Sequence, residues 1–206
     1  MKRLYTFLTL LLLFNAADSH ATGYFKKMSV GLVYIGADNC GTRINCAVRV
    51  EKGNILFAGH SDCNNQGDIP ATTAQQTGSN IVVGKLDSNY KVLWVKVFGG
   101  DDALTEQAKA LCRTKDGGYA IVSTTASTNG SITTGKGKDD IWLLKLDVNG
   151  NQVFEKNIGS TGDDRAISIT EDTAGNLLIL GASNGADGDI PAHYGTAAEN
   201  DWVLIK

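Results

Sequence analysis

The chain repeats itself. The stretch Asp139-Asp140-Ile141-Trp142-Leu143-Leu144-Lys145-Leu146-Asp147 is echoed upstream at 80–87 (NIVVGKLD) and downstream at 201–206 (DWVLIK). Val82, Trp142 and Trp202 stand at even steps of 60 residues. A fixed period of this size marks a repeat architecture, in which each unit is one supersecondary module that leans on its neighbours.

One period reads as four short strands. Residues 93–98 are rich in β-formers and end at Gly99-Gly100. Residues 108–114 form a second run, closed by the tight-turn signal Asp116-Gly117-Gly118, and residues 119–123 return from it. A polar loop over 124–138 then leads to the run 141–146. The downstream unit keeps this order, with Phe154 in the place of Trp94 and Ala174-Gly175-Asn176 at the turn. Upstream, Val33-Tyr34-Ile35-Gly36 matches Val97-Phe98-Gly99-Gly100 at an offset of 64, and Lys52-Gly53-Asn54 takes the place of the turn.

Four-stranded antiparallel units in series predict an all-β, β-propeller-like fold of about three blades. The units run over about 30–86, 87–147 and 148–206. A single blade cannot bury both of its faces, so Trp142 and Trp202 are expected between blades. Closed propellers usually have about 4–8 blades. Three therefore predict an incomplete or open propeller: a fragment of a longer protein, or a chain that associates with copies of itself. The segment 30–35 is expected to complete the last unit.

Residues 1–21 have the three parts of a secretory signal: Lys2 and Arg3, an apolar run over 4–14, and Ser19-His20-Ala21 as the cleavage site. That run is too short for a permanent span, which needs about 20 residues. The repeat domain is then 22–206, secreted or at the cell surface. No other run approaches membrane-spanning length. A net charge of −3 argues against a nucleic-acid partner, which calls for a basic face.

Five motifs are shared between the units: Trp94-Val95-Lys96-Val97-Phe98-Gly99-Gly100, Asp163-Asp164-Arg165-Ala166, Asp116-Gly117-Gly118-Tyr119, Asp187-Gly188-Asp189-Ile190 and Asp140-Ile141-Trp142-Leu143-Leu144-Lys145-Leu146-Asp147. As a set they resemble those of exported bacterial β-propeller-like repeat proteins, often large surface or secreted proteins that carry a type IX secretion sorting domain. The resemblance spans about 30–206. It implies an extracellular β-propeller-like protein and does not imply an enzyme. The first unit departs from the pattern at Lys52-Gly53-Asn54.

If the strands alternate in direction, the loops entering the second strand and leaving the third open on one rim. That rim gathers Asp101, Asp102, Asp163 and Asp164 with the loops 64–69, 128–132 and 184–190, which bring Asp68, Asp187 and Asp189. Binding loops cluster this way on a rigid strand scaffold, so the acidic rim is the expected ligand edge, for a glycan or protein at the cell surface. Asp187 and Asp189 with Asn184 are candidates for calcium, being oxygen donors around a glycine. The spacing lacks the distal Glu of a helical calcium loop, and Asn129-Gly130-Ser131-Ile132 in the middle unit has no carboxylate. Turn formation by Asp and Asn is the leading expectation there.

Catalytic residues are not expected, and neither is a cofactor. Glycoside hydrolysis needs two carboxyl groups about 5–9.5 Å apart. Adjacent residues on an extended chain point to opposite faces, so Asp101/Asp102 and Asp163/Asp164 are not ready-made acid–base couples. A secreted hydrolase is the alternative reading, and a purely structural spacer of a larger surface protein a third. His60 and His193 are too few to build a zinc site. No nucleophile elbow, P-loop or dinucleotide fingerprint occurs. In an exported chain one disulfide is expected among Cys40, Cys46 and Cys63, with Cys40–Cys46 closing the shortest loop, while Cys112 reads as a small core residue.

Overall fold

The computed structural model describes residues 35, 41–62, 68–70, 78–100, 106–132, 135–196 and 199–206. All of them belong to one unit, Leu32–Lys206. They form three open antiparallel sheets. The first holds β1 (Thr42–Arg49), β2 (Ile55–Ser61), β3 (Asn80–Leu86) and β4 (Val92–Phe98) in chain order. The second holds β5 (Gln107–Arg113), β6 (Tyr119–Thr125), β7 (Asp140–Leu146) and β8 (Gln152–Ile158), again in order. The third holds β9 (Asp164–Glu171), β10 (Leu177–Ser183) and β11 (Asp201–Ile205). One 3-10 turn, Glu51–Gly53, joins β1 to β2. The all-β expectation is met, and among the described residues no helix is long and apolar enough to cross a membrane.

The sheets run one strand out of step with the sequence units. The run at 93–98, read as opening a unit, is β4, the last strand of the first sheet, and β8 closes the second sheet in the same way. Local chemistry explains this. Asp87 Oδ1 accepts the N–H groups of Asn89 at 2.8 Å and Lys91 at 2.9 Å, and Asp147 Oδ1 accepts those of Asn149 and Asn151, both at 2.8 Å. Each Asp so closes a tight hairpin back onto the strand before it. Strand β1 was not among the expected strands, although Ile44, Cys46 and Val48 alternate with Arg43, Asn45, Ala47 and Arg49 in the period of a half-buried strand.

Apolar side chains sit between sheets. Strands β3 and β7 are buried at all seven positions, as strands covered on both faces must be. Ile81 and Val83 of β3 meet Tyr119, Ile121, Trp142 and Leu144 of the second sheet. Ile141 and Leu143 of β7 face the other way and meet Ile169, Ile179, Val203 and Ile205 of the third. A third cluster, Phe57, Ile69, Val82 and Leu86, lies on the far face of the first sheet, with Ile35 against it. The rest of the 30–35 segment lies outside the described residues.

One packing expectation is corrected by the strand register. Thr125 pairs with Asp140, and Ser183 pairs with Asp201. Asp201 therefore stands where Asp140 does, and Val203, not Trp202, takes the place of Trp142. A slip of one residue moves a side chain to the other face. Trp142 is 0% exposed, whereas Trp202 is 73% exposed.

Candidate functional site

Of the expected rim, the loop 184–190 closes on the turn 159–163. Asp189 N–H donates to the Gly159 carbonyl at 2.9 Å, Lys138 N–H to Gly162 at 3.3 Å, and Asn184 N–H to Asp163 at 3.2 Å. The carboxylates on the rim serve these ties. Asp187 accepts the N–H and the hydroxyl of Thr161, both at 2.7 Å, and these bonds hold its carboxyl below the ordinary range. Asp189 accepts the Gly159 N–H at 3.2 Å and the Lys136 ammonium. Burial works against its ionisation, yet Lys136 and the Gly159 N–H keep its carboxyl low. Asp163 lies beside Asn184 and 3.8 Å from Lys138 Nζ. Asp68 is exposed, just before buried Ile69. Asp164 leaves the rim for the interior, at 0% exposure. Asp101 and Asp102 lie outside the described residues. Among the described residues, no three His, Cys, Asp or Glu side chains are grouped to hold a metal.

Cys46 and Cys112 carry free thiols. Cys46 directs its sulfur toward the Ala58 carbonyl at 3.7 Å, and burial pushes both thiols up to about 11. Cys40, the expected partner of Cys46, and Cys63 lie outside the described residues. His193 Nε2 is 2.9 Å from the Glu199 carbonyl and ties the loop that enters β11.

The first strand of every sheet carries a one-residue bulge, which skips Asn45 in β1, Lys109 in β5 and Ile167 in β9. A bulge bends a strand and re-aims its side chains. Two clefts open along these strands. One of about 590 Å³ is lined by Gln107, Lys109, Thr124, Asp139, Arg165 and Ile167. The other, of about 270 Å³, is lined by Arg43, His60, Asp62, Ser79 and Gln107. Gln107 borders both. Arg43, Gln107 and Arg165 hold one equivalent position, opposite His60, Thr124 and Ala182 on the following strands.

Along this edge the cations Arg43, Lys109 and Arg165 exceed the carboxylates Asp62 and Asp139 by one, in a chain of net charge −3. Burial lowers the pKa of His60, and Arg43 and Lys109 lower it further against the pull of Asp62. Arg165 Nε is 3.5 Å from Asp139 Oδ2, and the Lys109 ammonium reaches Gln107 Oε1 at 3.3 Å. Asn45 Nδ2 donates to the Ala108 carbonyl at 2.8 Å, tying the bulge of β1 to β5. Reading the sequence for acidic loops missed this site. Comparing equivalent positions at offsets of 64 and 58 residues, which align Arg43, Gln107 and Arg165, is the signal that finds it. In comparisons with known proteins, no family model and no curated protein matches the chain.

Proposed function

We propose that the chain is an exported, non-catalytic binding module of β-propeller type, its three sheets serving as successive blades. Its ligand is an anionic glycan of the cell surface, taken at the clefts along β1, β5 and β9. The observation that carries this reading is the row of Arg43, Lys109 and Arg165, one cation from each sheet, along two clefts that share Gln107. Guanidinium groups match the planar geometry of carboxylates and sulfates, and Gln107, which lines both clefts, offers an amide for sugar hydroxyls. The clefts are open and lined from successive sheets, which suits a polymer. The signal-like residues 1–21 and the motif resemblance support export. The rim carboxylates act here as ties that hold the loops around the clefts.

Binding of the mature chain to polygalacturonate, against neutral dextran, tests the reading. Selective, salt-sensitive binding that falls at least about tenfold in Arg43→Glu/Arg165→Glu is expected, as two charge-assisted contacts are lost. Equal retention on both polymers, or on neither, rejects it.

A second reading, a spacer that stacks with further sheets, is favoured by a different surface. Trp202 and Leu204 are 73% and 72% exposed, and they lie opposite Ala182 and Leu180 on the same face. The equivalent positions Ile81/Val83 and Ile141/Leu143 are covered by the next sheet. A sheet of a second copy fits that face. Sedimentation of the wild type and Trp202→Glu/Leu204→Glu decides it: an oligomer that dissolves in the variant supports stacking, and a monomer throughout rejects it.

A further inference from the structure

Two buried carboxylates meet between the second and third sheets. Asp140 opens β7 at 1% exposure and Asp164 opens β9 at 0%. Asp140 Oδ2 accepts the Lys136 N–H at 2.7 Å and the Asn157 amide at 3.2 Å. Asp164 Oδ2 accepts the N–H and hydroxyl of Ser160 at 2.6 and 2.7 Å. The Oδ1 atom of each is buried without a hydrogen-bond partner. Both carboxylates close over Gly159, where a Cβ would overlap Asp140 Oδ1 and stand 3.0 Å from Asp164 Oδ2.

The equivalent place one sheet upstream is built differently. There Asn80 opens β3, Glu106 precedes β5, and Gly99 lies beneath them, with a Cβ on it overlapping Asn80 Oδ1 and standing 2.8 Å from Glu106 Oε2. Asn80 brings an amide that can donate. Glu106 also takes the Thr125 hydroxyl at 3.1 Å, the Ser127 hydroxyl and the Gly100 N–H at 3.4 Å. With Asp at 140, two acceptor-only groups face each other out of water, an arrangement that is costly unless positive charge stands between them. The neighbouring cations are engaged elsewhere: Lys136 with Asp189, Lys138 with Asp163 and Arg165 with Asp139.

We infer that Asp140 and Asp164 bind a hard metal cation of the calcium class, clamping the start of β7 to the start of β9. An all-oxygen donor set selects hard cations, and calcium accepts the irregular geometry that magnesium refuses. Two carboxylates balance its charge. The site is distinct from the Asp187–Asp189 loop, whose carboxylates already hold Thr161, Gly159 and Lys136.

Calorimetric titration of the EDTA-treated mature chain with calcium chloride, and its thermal unfolding with calcium or EDTA at pH 7, test the inference. One calcium per chain and a Tm raised by several degrees are expected, since a ligand that binds only the folded state stabilises it. Asp140→Asn sets an amide and a carboxylate over the glycine, the residue types that Asn80 and Glu106 set over Gly99, so it is expected to fold in EDTA and to lose the calcium response. Wild-type protein that binds no calcium at millimolar concentration overturns the inference, as does an Asp140→Asn variant that keeps the response. A Tm indifferent to metal but rising on acidification overturns it too, since the pair then shares a proton.

Discussion

Tyr90 occupies left-handed backbone at φ 66°, in the hairpin position where Gly150 stands at φ 79° one unit later. A side chain there costs about 1 kcal/mol or more, and Tyr90 is 43% exposed and so recovers little by packing. Tyr90→Gly is therefore expected to raise stability in urea by about 1 kcal/mol. Gly150→Ala is expected to lower it, because its Cβ would also stand 2.9 Å from the Trp94 ring. The thiols of Cys46 and Cys112, raised to about 11 by burial, should alkylate slowly with iodoacetamide at pH 8 until the chain unfolds. Two carboxylates give opposite pH signs. The Lys145 ammonium, then the Thr114 hydroxyl, hold Asp116 far below its usual range. Its contribution is present above the unfolded carboxyl value and lost as pH falls, so Asp116→Asn should flatten acid unfolding. Burial, with Asp164 beside it, raises the pKa of Asp140. In metal-free protein that contribution is present at low pH and lost as pH rises through the raised value.

Within the elements, the lysine of the Lys-Leu-Asp motif anchors the neighbouring hairpin turn. Lys85 pairs with Glu51, and Lys145 with Asp116 at 2.7 Å, both ammonium groups being buried. Lys85 also lies 5.5 Å over the Tyr119 ring, whose centroid is 6.3 Å from that of Trp94. The tryptophans separate two roles that the repeat period merges. Trp142, buried and donating to Glu155 Oε2 at 2.9 Å, should cost about 3–5 kcal/mol as Trp142→Ala. Trp202→Ala should change unfolding in urea by less than about 0.5 kcal/mol. Equal losses in the two variants would refute the register assigned to β11.

Across the molecule, stability resides in the two sheet interfaces, and the proposed glycan-binding residues stand on the edge where the first strands meet. The two should respond differently to salt. Raising sodium chloride screens the exposed Arg43, Lys109 and Arg165 and should weaken glycan binding, while the apolar interfaces keep their Tm. The sequence by itself determined every strand but β1, the hairpin turns and the all-β class. Those depend on neighbours a few residues apart: β-rich runs, glycines at φ > 0, and Asp side chains capping their own turns. Only the tertiary structure decided which sheet owns β4 and β8, which face Trp202 takes, and that Arg43 and Arg165 serve one edge. It also brought Asp140 and Asp164 over Gly159. Each of these follows from pairing register and sheet contact between residues far apart in the chain, where a shift of one position reverses the face and no local pattern records the choice.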